Sequence, residues 1–224
     1  MLVPLEFRWR HVLWTPVRWE AQAWELDMAV LIIIIVLVVA IVLGAVWVYN
    51  SVVSARNRVD EGWAQISVQL KRRHDLIPNL VKTVKGYATH EQGTLEAVVA
   101  ARNVAVENEN SPAQAAQAEN QLSAALGKLF ALSEAYPDLK ASTNFTQLQD
   151  QLVETEDRIA FSRQYYNDVV RAWNTKIETI PFNFVASSMQ ARRRDYFEID
   201  DIDASRYREA MSADDTSKPP DVTF

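Results

Sequence analysis

From Met28 to Ala55 the chain carries no charged residue, and positions 28–49 are apolar on every face of a helix drawn through them. At 1.5 Å per residue those 22 positions would extend roughly 33 Å, enough for the hydrocarbon core of a bilayer. Fifteen Ile, Leu or Val residues lie between Val30 and Val48. At about 0.3–0.6 kcal/mol each they favour insertion by roughly 5–9 kcal/mol. The run is too long for a cleaved signal peptide, and no A-x-A-like site precedes Arg56. A soluble protein of 25.5 kDa could hardly bury so uniformly apolar a helix. The pattern predicts a membrane span over 28–49.

Beyond the span the pattern changes to a helical repeat. Val52, Val59, Ile66 and Leu80 recur at intervals of seven or its multiple, and Trp63, Leu70, Ile77 and Val84 form a second set offset by four. Arg73 is the one charge on this seam, while Gln65, Gln69, Lys71 and Arg72 fall between the apolar stripes. Pro78 interrupts the run and predicts a kink or a restart. Thr89 with Gln92 has capping-box spacing and predicts a second helix from Leu95 to about Glu107. Ser111, Pro112 and Gln114 repeat that signature and predict a third helix, with Leu122, Leu126, Leu129 and Phe130 on its inner face. A fourth helix is predicted from about Phe145 to Thr179, with a seam of Phe145, Leu148, Leu152, Ile159, Tyr166, Val169 and Trp173, ended by Pro181. No segment shows period-two alternation. The expected fold is all-α: an N-terminal transmembrane helix continuing into a long antiparallel four-helix bundle over 50–182.

The flanks add less. Residues 1–27 hold Trp9, Trp14, Trp19 and Trp24 at a five-residue spacing that shares no helix face. Residues 183–199 read as a short helix or extension containing the basic cluster Arg192–Arg194, expected to be a solvated helix end. From Asp195 onward nine acids stand against three bases, so 200–224 is expected to be a disordered acidic tail. Net charge of −6 and a pI near 5.2 leave no basic stripe for nucleic acid. The absence of cysteine excludes disulfides, thiol chemistry and cysteine-ligated metal.

The search for chemistry is mostly negative. His90-Glu91 begins an H-E-x-x-H pattern, but Thr94 occupies the second histidine position. Gly127-Lys128 lacks the rest of a phosphate loop. The carboxylates Glu154, Glu156 and Asp157 are not followed by histidine at metal-ligand spacing, and ion pairing with bases such as Arg56 or Arg58 is the expected role. His74 reads as a surface residue. No catalytic, cofactor-binding or metal-ligating residue is expected. Lys71, Arg72, Arg73 and the arginines 192–194 are the residues expected to contact partners, whereas Trp63, Tyr166 and Trp173 are expected in the core.

The strings RNRVDEGWAQISVQLKRRHDLIPNLVKTVKGYATHE at 56–91, AYPDLKASTNF at 135–145, ETEDRIAFSRQYYNDVVRAWNTKIETIP at 154–181 and RRDYFEID at 193–200 resemble the LemA family of bacterial membrane proteins. The resemblance covers residues 29–200. It implies a single N-terminal span, a long four-helix bundle, no established enzyme activity and no catalytic residues to carry over. It also implies links to membrane-bound proteases and, in one branch, to magnetosome building. Family members begin directly at the span, so residues 1–27 depart from the pattern and Met28 becomes a candidate start.

Together these readings predict a membrane-anchored, non-enzymatic scaffold or adaptor whose bundle meets partner proteins near the bilayer, a membrane protease or envelope assembly among them. The alternative is a self-assembling, membrane-organising protein that uses the small pair Ala40 and Gly44. The expected location is the inner membrane, single-pass. Arg8, Arg10 and Arg18 precede the span, and Arg56, Arg58, Lys71, Arg72 and Arg73 follow it. A start at Met28 would leave the bases on the far side only, favouring a cytoplasmic bundle.

Overall fold

The computed structural model describes the backbone of residues 19–199 and the side chains of 27–199. The expectations for the acidic tail, and for Trp9 and Trp14, fall outside those residues. Among the described residues six helices follow in order: α1 (Trp19–Tyr87), α2 (Gln92–Glu107), α3 (Pro112–Ser133), α4 (Pro137–Lys140), α5 (Thr143–Glu178) and α6 (Phe182–Ser188). Among the described residues there is no strand, and the protein is all-α.

The chain divides into two units, 1–47 and 48–224. In the first, every described side chain from Asp27 to Trp47 is exposed. The apolar stretch meets the length and hydropathy that a bilayer crossing requires.

The second unit has an interior of its own, built from two apolar clusters. One joins Val52, Val59, Ile66 and Leu70 of α1 to Ile159, Tyr166, Val170 and Trp173 of α5, with Ala115 and Ala116 of α3. The other joins Ile77, Leu80 and Val84 of α1 to Leu95 and Val98 of α2, Leu122, Leu126 and Phe130 of α3, and Phe145 and Leu152 of α5. Numbering therefore rises along α1 and α3 while it falls along α5, the contact order an up-down bundle produces. Gly62 marks a close approach of α1 and α5. A methyl there would meet Tyr165 Cε1, Tyr166 Cα and Val169 Cγ2, each at 3.4 Å.

Local signals were followed unevenly. Ser111 is the N-cap of α3 in extended conformation with Pro112 opening the helix, although its hydroxyl makes no cap hydrogen bond. The expected capping box at Thr89 does not form: Glu91 is the N-cap of α2, and Thr89 lies in the preceding turn. Glu91 is engaged instead by the Tyr136 hydroxyl, which donates to its Oε1 at 3.2 Å.

α1 does not restart at Pro78, which lies inside the helix. Proline has no N–H to offer the carbonyl four residues earlier. That carbonyl belongs to His74, and Arg102 Nε of α2 donates to it at 3.4 Å. A helix-breaking residue is thus tolerated because a neighbouring helix supplies the missing donor.

Leu70 and Leu126 are fully buried, whereas Phe161 is 75% exposed. Leu70→Ala and Leu126→Ala should each lose about 2–5 kcal/mol of stability, and Phe161→Ala should leave it nearly unchanged. Chemical denaturation of the detergent-solubilised chain, followed by circular dichroism, measures the difference.

Candidate functional site

Two constructions in the helical body go beyond apolar packing. The first is a layer of charge between the apolar clusters. Arg73 occupies the seam position where the repeat of Val52, Val59 and Ile66 would place another aliphatic side chain, so its guanidinium enters the interior. Arg73, His74 and Glu119 are each 1% exposed and Glu156 is 3% exposed.

Burial of a guanidinium requires partners of opposite charge and good geometry, and two helices, α3 and α5, supply them. Arg73 Nη1 donates to Glu119 Oε2 of α3 at 2.8 Å, and Nη2 donates to Ser123 Oγ at 2.8 Å. Glu156 Oε2 of α5 faces the same Nη2 at 3.5 Å. The other oxygen of Glu119 lies 2.6 Å from His74 Nε2, and His74 Nδ1 lies 3.0 Å from Glu109 Oε1 in the α2–α3 turn. Glu119 thereby bridges two side chains adjacent on α1. Among the described residues, no group of three or more His, Asp or Glu side chains could hold a metal ion.

Several sequence expectations are corrected here. Arg73 is no partner-facing residue and His74 is no surface residue, because both turn inward to the carboxylates of α3. Glu156 pairs with Arg73 rather than with Arg56 or Arg58. Glu154, on the outer face, pairs with Arg72 at 3.4 Å and Arg158 at 2.6 Å. Hydrogen bonding and charge from Arg158, then charge from Arg72, hold its carboxyl below the usual value. Arg56 meets Asp60 at 3.9 Å. The inward charge at position 73 was legible as the exception in the repeat, and Glu156 stands one helical step from the seam residue Leu152. Nothing in the sequence marked Glu119 as the shared partner of Arg73 and His74.

The second construction is a clasp. Residues 191–199 follow α6 without regular structure, so their backbone groups need partners from elsewhere, and one face of α5 supplies them. Asn174 Nδ2 donates to the Arg194 carbonyl at 3.0 Å and its Oδ1 accepts from Arg194 N at 2.9 Å. Asn167 repeats the pair with Phe197 at 3.1 and 3.0 Å. Trp173 Nε1 donates to the carbonyl of Arg192 at 3.0 Å, Tyr166 Oη to that of Asp195 at 2.9 Å, and Arg163 Nη1 to that of Ile199 at 3.0 Å.

The registers match for a simple reason. The two asparagines are seven residues apart, about 10.5 Å along a helix, and the two residues they hold are three apart, about 10 Å in extended chain. Phe197 and Ile199 then enter the core, with the Trp63 and Phe197 rings edge-on at 5.6 Å. The arginines 192–194 are therefore no helix end: α6 stops at Ser188, and they stand on a chain pinned from behind. Tyr166 and Trp173 are buried as expected, and Trp63 is half-buried.

Glu119→Leu should cost about 3–5 kcal/mol because it takes the close carboxylate partner from the buried Arg73 guanidinium, while Glu154→Gln should barely move the denaturation midpoint. Burial pushes the Tyr166 phenol up to about 12. Its neutral form is favoured by folding, so this contribution is whole below pH ~10 and is lost as pH rises towards 12. Spectrophotometric titration should find one tyrosine ionising about two pH units late, and Tyr166→Phe should abolish that step.

The family model for the LemA family matches residues 62–212. Two proteins of Paramagnetospirillum magneticum, "Magnetosome protein MamQ 1" and "Magnetosome protein MamQ 2", are each 26% identical over 175 residues, covering 67% of this chain and 64% of theirs. "Protein LemA" of Metamycoplasma hominis is 25% identical over 154 residues, covering 69% of this chain and 70% of its own. The chain thus spans just under two thirds of the length of the magnetosome relatives. Since the family match takes in more than half of the 224 residues, including α2, α3, α5 and the clasped segment, the chain belongs to the LemA family.

Proposed function

We propose that this protein is a membrane-anchored, non-enzymatic scaffold or adaptor, single-pass in the inner membrane, whose helical body meets partner proteins near the bilayer. A membrane-bound protease or an envelope assembly is the class of partner proposed, and the body is assigned to the cytoplasmic side. The carrying observation is the run 28–47, apolar and exposed on every face. Exposed apolar surface of this extent needs a cover, and a bilayer provides one along the whole run. On the body, Lys71 and Arg72 and the arginines 192–194 are exposed and form the polar surface offered to partners. The interior charges engage one another, which favours an architectural role over a reactive one.

A second reading, self-assembly into a membrane-organising array, draws on two observations. Ala40 and Gly44 are exposed on the apolar stretch, and a methyl at Gly44 would meet nothing within 4 Å. Relatives are named as magnetosome proteins, which is consistent with a structural role.

Cross-linking in native membranes separates the two. Discrete bands containing other proteins are expected for the scaffold, and a ladder of self-adducts would favour the array. A chain that cross-links to nothing would sink both. Because the chain has no cysteine, Ala113→Cys gives a single reporter of sidedness. A membrane-impermeant maleimide should label it only after lysis, and labelling of intact cells would overturn the cytoplasmic assignment.

A further inference from the structure

A cavity of about 450 Å³ opens where α1, the start of α3, α5 and the clasped segment meet. Although the chain has a net charge of −6, this cavity is lined by Arg56, Arg192, Arg193 and Arg194 against the carboxylates of Asp60 and Asp195 alone. Those carboxylates do not neutralise it. Asp60 is shared, with Oδ1 accepting from Arg194 Nη2 at 3.1 Å and Oδ2 lying 3.9 Å from Arg56 Nε. Arg193 gives one Nη to Glu178 at 3.0 Å. Arg192 makes no side-chain ion pair among the described residues. An unneutralised positive wall remains.

Three further features suit this wall to a ligand. The backbone carrying the arginines is held by Trp173 and Asn174, so the guanidinium stems start from a fixed frame and less ordering is needed on binding. Arginine presents a planar fork of donors that matches phosphate oxygens. Trp63, which is half-buried, also lines the cavity, giving an organic body a ring face to lie against. A space of this size lies within the usual range for small-molecule sites, roughly 300–1,000 Å³, and far exceeds the needs of a lone inorganic anion.

We propose that this cavity binds an organic phosphate, with the phosphate among Arg56, Arg192 and Arg194 and the organic portion against Trp63. A soluble phosphorylated compound and the phosphate of a lipid headgroup share that chemistry.

The test uses the full chain in nanodiscs and a double variant, Arg56→Gln with Arg192→Gln. The double variant spares the closest ion pairs and should melt as wild type does; should it fail to fold, the single charge reversal Arg192→Glu takes its place. In phosphatidylcholine nanodiscs, calorimetric titration with phenyl phosphate should show saturable binding. That binding should weaken at least tenfold in the double variant and stay unchanged in Arg171→Gln, an arginine outside the cavity. If phenyl phosphate fails to bind, but nanodiscs containing phosphatidylglycerol slow amide exchange over residues 189–195 in the wild type and not in the variant, the ligand is a lipid headgroup. Absence of an effect in both arms, or effects that survive the double variant, would overturn the proposal.

Discussion

A guanidinium in the middle of a helical interior constrains everything packed around it. Arg73 enters the core where an aliphatic residue would otherwise stand, and its charge is tolerated because Glu119, Glu156 and Ser123 arrive at the same level from α3 and α5. The layer lies between Leu70 and Ile77 on α1 and between Leu152 and Ile159 on α5, and on α3 it is made by Glu119 and Ser123, which flank Leu122. Apolar contacts alone would tolerate a slip of one helix past another by a turn. A slipped Arg73 would face hydrocarbon without a carboxylate, at a cost of several kcal/mol. The polar layer thus specifies the register that the apolar clusters leave open.

That register is what makes the clasp possible. The residues of α5 that hold segment 191–199 lie between and beside the seam residues Tyr166, Val170 and Trp173, so the placement of α5 against α1 also sets where the extended chain lies. Side-chain amides serve there in the way a neighbouring strand would in a sheet, each asparagine satisfying one N–H and one carbonyl. The contact is made to backbone, while Phe197 and Ile199 supply the apolar anchorage. As a consequence three consecutive arginines are displayed from a fixed frame beside a half-buried tryptophan. In a chain of net negative charge this local excess of positive charge is the most chemically specific feature outside the core.

The apolar run and the helical body differ in what they require of their surroundings. The body encloses an interior of its own, where two apolar clusters pack and the buried charges of Arg73, Glu119 and Glu156 meet. The run 27–47 does not, because every side chain along it is exposed and none is charged beyond Asp27.

Hydrophobic periodicity determined a great deal. The apolar run, the four long helices, the proline-opened third helix and the core positions Tyr166 and Trp173 all follow from spacing, because an amphipathic stripe can be buried in few ways and a uniformly apolar one in fewer. The signs of special positions were also present, in Arg73 on the seam and Glu156 beside it. Their meaning was not, since the partner of a buried charge comes from a different helix: Glu119 lies 46 residues from Arg73 and 45 from His74. The same holds for Glu91, whose carboxylate is met by Tyr136 from 45 residues on, and for Pro78, which leaves the His74 carbonyl to be met by Arg102 from α2. Residues 191–199 have no periodicity to read, because their order comes from the side chains of α5. Local pattern decides which face of a helix turns inward; only the folded chain decides which charges meet there, because desolvation makes their pairing obligatory and long-range.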